Sequence, residues 1–161
     1  MSVTNVKKTP ISPNSLGFYL SRASIVFREL LKQSLAESSL KDHIKPGMGN
    51  LMFSLYEQDG VTKTELARTL SLSKMTITRL VRDIEKHGLA VSKADENDGR
   101  ASRVHLTPLA RKLEPEYAQL ARSLEERISE NFTPADLTQF RHHLKTLLES
   151  LVEKRANQNQ G

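Results

Sequence analysis

From Leu16 onward, apolar residues recur at intervals of three and four: Leu16, Leu20, Ala23, Phe27 and Leu30, with Tyr19 and Val26 widening the stripe. This is the period of one helical face, and its persistence predicts a long amphipathic helix. Pro46-Gly47 interrupts the chain before a second apolar segment, Leu51 to Tyr56, which ends at the turn-forming pair Asp59-Gly60 and predicts a short helix. Thr62-Lys63-Thr64-Glu65 has the spacing of a capping box, so a helix is expected from Lys63 to about Leu70. Ser73 follows closely as a second cap, ahead of a helix whose buried face is Ile77, Leu80, Val81 and Ile84 and whose end is Gly88.

Beyond Gly88 the period shortens to two. Leu89 with Val91, and Val104 with Leu106, mark single faces of two extended segments, 89–94 and 101–106, joined by the polar stretch 95–100 containing Gly99. Together they predict a hairpin. Thr107-Pro108 then restarts helix, with threonine as cap and proline at the first helical position. Its seam is Leu109, Leu113, Tyr117, Leu120, Leu124 and Ile128. Thr133-Pro134 repeats the device before a last helix lined by Leu137, Phe140, Leu144, Leu147, Leu148, Leu151 and Val152.

The order helix, short turn, helix, hairpin, with long amphipathic helices on either side, predicts a mainly α fold with a small β-hairpin wing. In this reading a winged helix-turn-helix core is flanked by long dimerisation helices. The expected division is a flexible arm over 1–14, a dimerisation helix and loop over 15–45, the winged region over 46–107, C-terminal dimerisation helices over 108–156 and a flexible tail over 157–161. Three long apolar stripes exceed what one small winged domain can cover, which points to a second copy of the chain as partner. The competing arrangement is an intrachain bundle.

Composition narrows the picture. At 161 residues one domain is expected. No apolar run approaches the roughly 18 residues of a membrane span. Lys7 and Lys8 are followed by Pro10, Pro13 and Arg22, not by the apolar core of a secretory signal, so a cytoplasmic location without membrane attachment is expected. The absence of cysteine excludes disulfides and thiolate metal sites. The net charge of +5 favours a polyanionic partner, but its distribution says more. Residues 61–107 carry nine basic and six acidic side chains, the largest surplus in the chain, whereas residues 108–161 carry eight of each.

That surplus is arranged. With Ile77 at the centre of the buried face, Met75, Thr78, Arg79, Arg82 and Lys86 fall on the opposite side of the helix, and Ser73, Lys74 and Thr76 form its first turn, where exposed amides favour a phosphate. A helix entering the major groove needs such a face. The hairpin tip Asn97-Asp98-Gly99-Arg100 projects a guanidinium suited to a narrow minor groove. Arg103 is a further candidate DNA contact, and His105 beside it could touch a phosphate. The carboxylates Asp95, Glu96 and Asp98 fail the spacing of a calcium loop and are read as folding the turn. The histidines lack metal-ligand spacing, and no phosphate loop, nucleophile elbow or catalytic acid pair is present, so no metal, no cofactor and no enzyme chemistry are expected.

The segments Val61–Ala67, Leu72–Val81, Glu85–Leu89 and Asp95–Arg100, closing on Leu106-Thr107, together resemble the MarR family of bacterial transcription regulators. The resemblance implies that Asp98 braces the wing arginine Arg100 and the recognition helix, with Arg79 as helix partner. It also implies a homodimer held by the first and last helices, reading a palindromic operator in double-stranded DNA. A small aromatic or anionic effector would act as release signal, with Tyr19, Arg22 and Phe53 as candidate contacts. Ala110 stands where the family commonly has glycine. The function expected is a sequence-specific repressor; the alternative is a winged-helix architectural protein with little sequence preference.

Overall fold

A computed structural model describes residues 15–96 and 98–158. The expected arm over 1–14, Asn97 and the last three residues lie outside the described residues. The described residues form six α-helices and a small antiparallel sheet. Helix α1 (Leu16–Ala36) is followed by two 3-10 turns and α2 (Gly49–Glu57). The short strand β1 (Val61–Thr62) leads into α3 (Lys63–Thr69), α4 (Lys74–Lys86), the wing strands β2 (Ala90–Ala94) and β3 (Ser102–Leu106), and the long helices α5 (Pro108–Ser129) and α6 (Pro134–Gln158).

The caps are those the sequence prescribes. Thr62 and Glu65 form both halves of the capping box on α3, Ser73 accepts from the Thr76 amide at 3.1 Å, and Thr107 accepts from Ala110 at 3.2 Å. Each such cap contributes about 1 kcal/mol. Helix α4 ends on Gly88, whose φ of +69° lets the Gly88 and Leu89 amides return to the carbonyls of Glu85 and Ile84. The same closure ends α3, but there Ser71 occupies the left-handed position at φ +53°. Pro115 lies within α5, where it removes one backbone donor without ending the helix.

The sheet runs β1-β3-β2, so β3 is central. Val61 pairs with Val104, and Ala94 pairs with Ser102. Strand β1 is a third strand beyond the expected hairpin; two residues are too few to carry a readable period. The core lies under the helix-turn-helix unit and wing. Ile77, Val81 and Ile84 of α4 are fully buried together with Leu51, Leu55, Leu66, Leu89 and Val104, and each such side chain contributes roughly 1.5–3 kcal/mol of burial. Helix α6 contrasts with this: none of its 25 residues is buried, and Phe140, Leu148 and Leu151 are exposed on it. It also continues to Gln158, past the start of the expected tail at 157. No described helix is long and apolar enough to cross a membrane.

Candidate nucleic-acid interface

The buried face of α4 fixes what its other face offers. With Ile77, Val81 and Ile84 turned inward, the side chains of Ser73, Lys74, Met75, Thr78, Arg79, Arg82 and Lys86 are exposed and Thr76 is half-buried. Met75 is 82% exposed, an apolar side chain held in solvent where a thymine methyl would be an apolar partner. Thr78 spends its hydroxyl on the Lys74 carbonyl at 2.8 Å, and Ser73 and Thr76 share a hydroxyl hydrogen bond of 2.8 Å. Among the described residues, Lys74, Arg79, Arg82 and Lys86 form no ion pair. The helix therefore presents four uncommitted cations on one surface.

The wing turn is built from hydrogen bonds donated by backbone amides. The Asp95 amide donates to the Ala101 carbonyl at 3.0 Å, and the Ala101 amide donates to the Asp98 carbonyl at 2.8 Å. The Asp98 amide donates to the Asp95 carboxylate at 3.1 Å, and the Asp98 carboxylate accepts from the Arg100 amide at 3.0 Å. Asp98 thus holds the backbone of Arg100. Among the described residues it forms no ion pair with Arg79 or with the Arg100 guanidinium. Arg100 itself is exposed at the tip.

The carboxylate that ties the wing to the body is Asp95, the one buried polar or charged residue among those described. It accepts from Arg103 Nε at 2.5 Å. Arg103 also donates from Nη1 to the Gly60 carbonyl at 2.9 Å and lies 3.8 Å from the Glu65 carboxylate. Arg103, expected to contact DNA, thus pairs with acceptors of its own chain, while its side chain remains 39% exposed. Glu65 in turn accepts from the Thr62 amide and hydroxyl. These hydrogen bonds, and after them the charges of Arg103 and Arg68, hold its carboxyl below the usual glutamate range against the opposing effect of desolvation. His105 is half-buried: its Nδ1 lies 3.9 Å from the Asp59 carboxylate, which accepts from Arg111 at 2.5 Å and from the Leu106 amide at 2.7 Å. Asp95 and Glu65 were not recognisable as partners of Arg103, because the strand register that aligns them depends on how many residues the turn takes up.

The three candidate effector contacts separate. Phe53 lines an apolar cavity of about 340 Å³ between α1, α2 and α5, together with Phe27, Leu31, Tyr117 and Leu120. Tyr19 lies instead on a groove of about 740 Å³ between α1 and α6, lined by Leu16, Phe140, Leu144 and Leu147. Arg22 lines neither and is exposed. Tyr117 joins the cavity to the winged region: its hydroxyl donates to the Gly49 carbonyl at 2.7 Å, and its ring packs against Tyr56. Burial pushes both phenols up to about 12, with the nearby Glu114 and Tyr117 adding to the shift of Tyr56.

A sequence model described as the MarR family matches residues 48–102. The transcriptional regulator AdcR of Streptococcus pneumoniae is 27% identical over 97 residues, which are 58% of this chain and 66% of that relative. The aligned stretch thus falls just short of two thirds of the relative's length. A putative MarR-family regulator from Listeria monocytogenes, solved in complex with a 26mer DNA, superposes with a TM-score of 0.80 at 17% identity, over 91% of this chain and 95% of its own. The Bordetella bronchiseptica protein BpsR, studied for regulation of its DNA binding by 6-hydroxynicotinic acid, superposes with a TM-score of 0.74 at 18% identity, over 84% of this chain and 94% of its own. Residues 48–102 thus match the MarR-family model, within the mostly helical winged-helix fold that MarR-family structures share.

Proposed function

We propose that this protein is a homodimeric transcriptional repressor that binds a palindromic operator in double-stranded DNA and is released from it by a small-molecule effector. The observation that carries the reading is the outward face of α4, where Lys74, Arg79, Arg82 and Lys86 stand without ion-pair partners among the described residues. Cations held this way gain their electrostatic energy from phosphates and base edges. Arg79 and Arg82 serve the major groove, Ser73 and Thr76 bring the first turn to a phosphate, and Arg100 enters the adjacent minor groove.

The dimer follows from the unburied helix α6 and the apolar groove it forms with α1. A second copy covering that face relates two recognition helices by a two-fold axis, so that they meet half-sites about 10 bp apart. The effector occupies the cavity at Phe53 and Tyr117. A ligand that favours a recognition-helix separation unsuited to DNA shifts the population away from the bound state. No enzyme chemistry and no cofactor are part of this proposal.

Selection of bound fragments from the source genome, followed by gel-shift titration, tests it. The expected result is a palindromic site preferred over random DNA by about 10³ or more at fixed salt. Arg79→Ala and Arg100→Ala are each expected to weaken that complex by roughly tenfold or more, with melting unchanged. Affinity equal for all sequences and collapsing with salt supports an architectural protein instead.

A further inference from the structure

Arg103 is basic, lies on the wing and belongs to the segment with the largest positive surplus, yet its guanidinium, 39% exposed as a side chain, is paired with acceptors of its own chain. Its Nε donates at 2.5 Å to Asp95, whose side chain is 5% exposed. Its Nη1 donates at 2.9 Å to the Gly60 carbonyl, in the turn before β1. Glu65, on the first turn of α3, lies 3.8 Å away. One planar group therefore touches both sides of the joint between wing and helix-turn-helix unit. A guanidinium suits this task because its donors point in fixed directions within one plane.

The Asp95 end of this joint is continuous with the turn that carries Arg100. Asp95 accepts from the Asp98 amide, and Asp98 accepts from the Arg100 amide. The chain of contacts runs from Gly60 and α3 through Arg103, Asp95 and Asp98 to Arg100. Glycine is favoured at position 60 because the backbone has φ +71° and an added Cβ would lie 3.0 Å from the His105 ring.

We propose that Asp95 and Arg103 are a positioning pair that locks the wing to the helix-turn-helix unit, so that Arg100 meets the minor groove at a set distance from α4. The pair acts through Arg100 and does not itself touch DNA. This rests on the DNA-binding reading above and adds to it the residues that make the wing contact effective.

Removing each partner changes the charge near DNA in opposite directions, which separates positioning from direct contact. Arg103→Met removes a positive charge and Asp95→Asn a negative one, and both are expected to weaken operator binding by about tenfold. Arg103→Lys keeps the charge but cannot bridge both acceptors, and it is expected to weaken binding as well. In an Arg100→Ala background the further loss from any of the three is expected to fall below about twofold, the signature of coupled residues. Tighter binding by Asp95→Asn, parent-like binding by Arg103→Lys, or equal losses in both backgrounds would overturn the proposal.

A second readout needs no DNA. Asp95→Asn is expected to speed hydrogen exchange of the Ala101 amide by about tenfold while leaving the amides of α4 unchanged. Exchange as slow as in the parent overturns the positioning role, whereas a parent protein that binds no operator while the wing loosens as expected overturns only the regulator reading.

Discussion

Gly60 and Gly88 have nearly the same φ, +71° and +69°, but different neighbours. A Cβ at position 88 would meet only the Leu109 side chain, at 3.9 Å, whereas at position 60 it would meet the His105 ring at 3.0 Å. Gly88→Ala is therefore expected to cost about 1 kcal/mol, from the left-handed backbone alone. Gly60→Ala is expected to cost about 2–3 kcal/mol because the ring must also shift. Denaturant unfolding of the two variants checks the ranking, and equal losses would mean that the His105 ring moves aside freely. Gly88 was legible in the sequence as a helix terminus, since it follows the last periodic residue of α4. The pressure on Gly60 was not, because it depends on β3 bringing His105 across a fold that local patterning does not describe. The same holds for Arg103: its charge was visible, but the register that buries Asp95 beside it was not.

At the scale of the element, the helices were legible because caps and periods agreed, and α3 is the clearest case. Its capping box depends on an ionised Glu65, whose carboxyl is held below the usual range by the Thr62 amide and hydroxyl and then by Arg103 and Arg68. A depressed folded-state pKa means that the folded chain binds its proton less readily than the unfolded chain does. The resulting stability is present above the ordinary glutamate value and is lost as pH falls through the folded value. The stability advantage of the parent over Glu65→Ala is thus expected to be largest near neutrality and to shrink by about pH 3. Urea unfolding at the two pH values measures it, and an advantage that grows on acidification would contradict this role. Strand β1 escaped prediction because its reason to be extended is pairing with Val104 and Arg103, not any property of Val61-Thr62 itself.

For the whole molecule, the apolar stripes of α1 and α6 were readable, but their partner was not. Periodicity shows that a face is apolar without showing what covers it. Helix α6 has no buried residue, against the closely buried inner face of α4, and this is the face that the proposed second copy would cover. A carboxylate placed in that face would have to be desolvated in the dimer. Leu144→Asp is accordingly expected to give monomers by sedimentation and to lower operator affinity by about 100-fold, since each half-site is then bound singly. A variant that remains dimeric would place the interface elsewhere. The effector contacts were only partly legible for the same reason: Phe53 and Tyr19 are both exposed aromatics, and the helix arrangement alone sends one to the inner cavity and the other to the outer groove.

The most direct test of the paired-reader account is the stoichiometry and footprint of the complex on a selected operator. Sedimentation should give two chains per duplex, and hydroxyl-radical footprinting should show two symmetric protected regions about 10 bp apart, each flanked by minor-groove protection that Arg100→Ala removes. One chain per duplex, or a single protected region unchanged by that substitution, would contradict it.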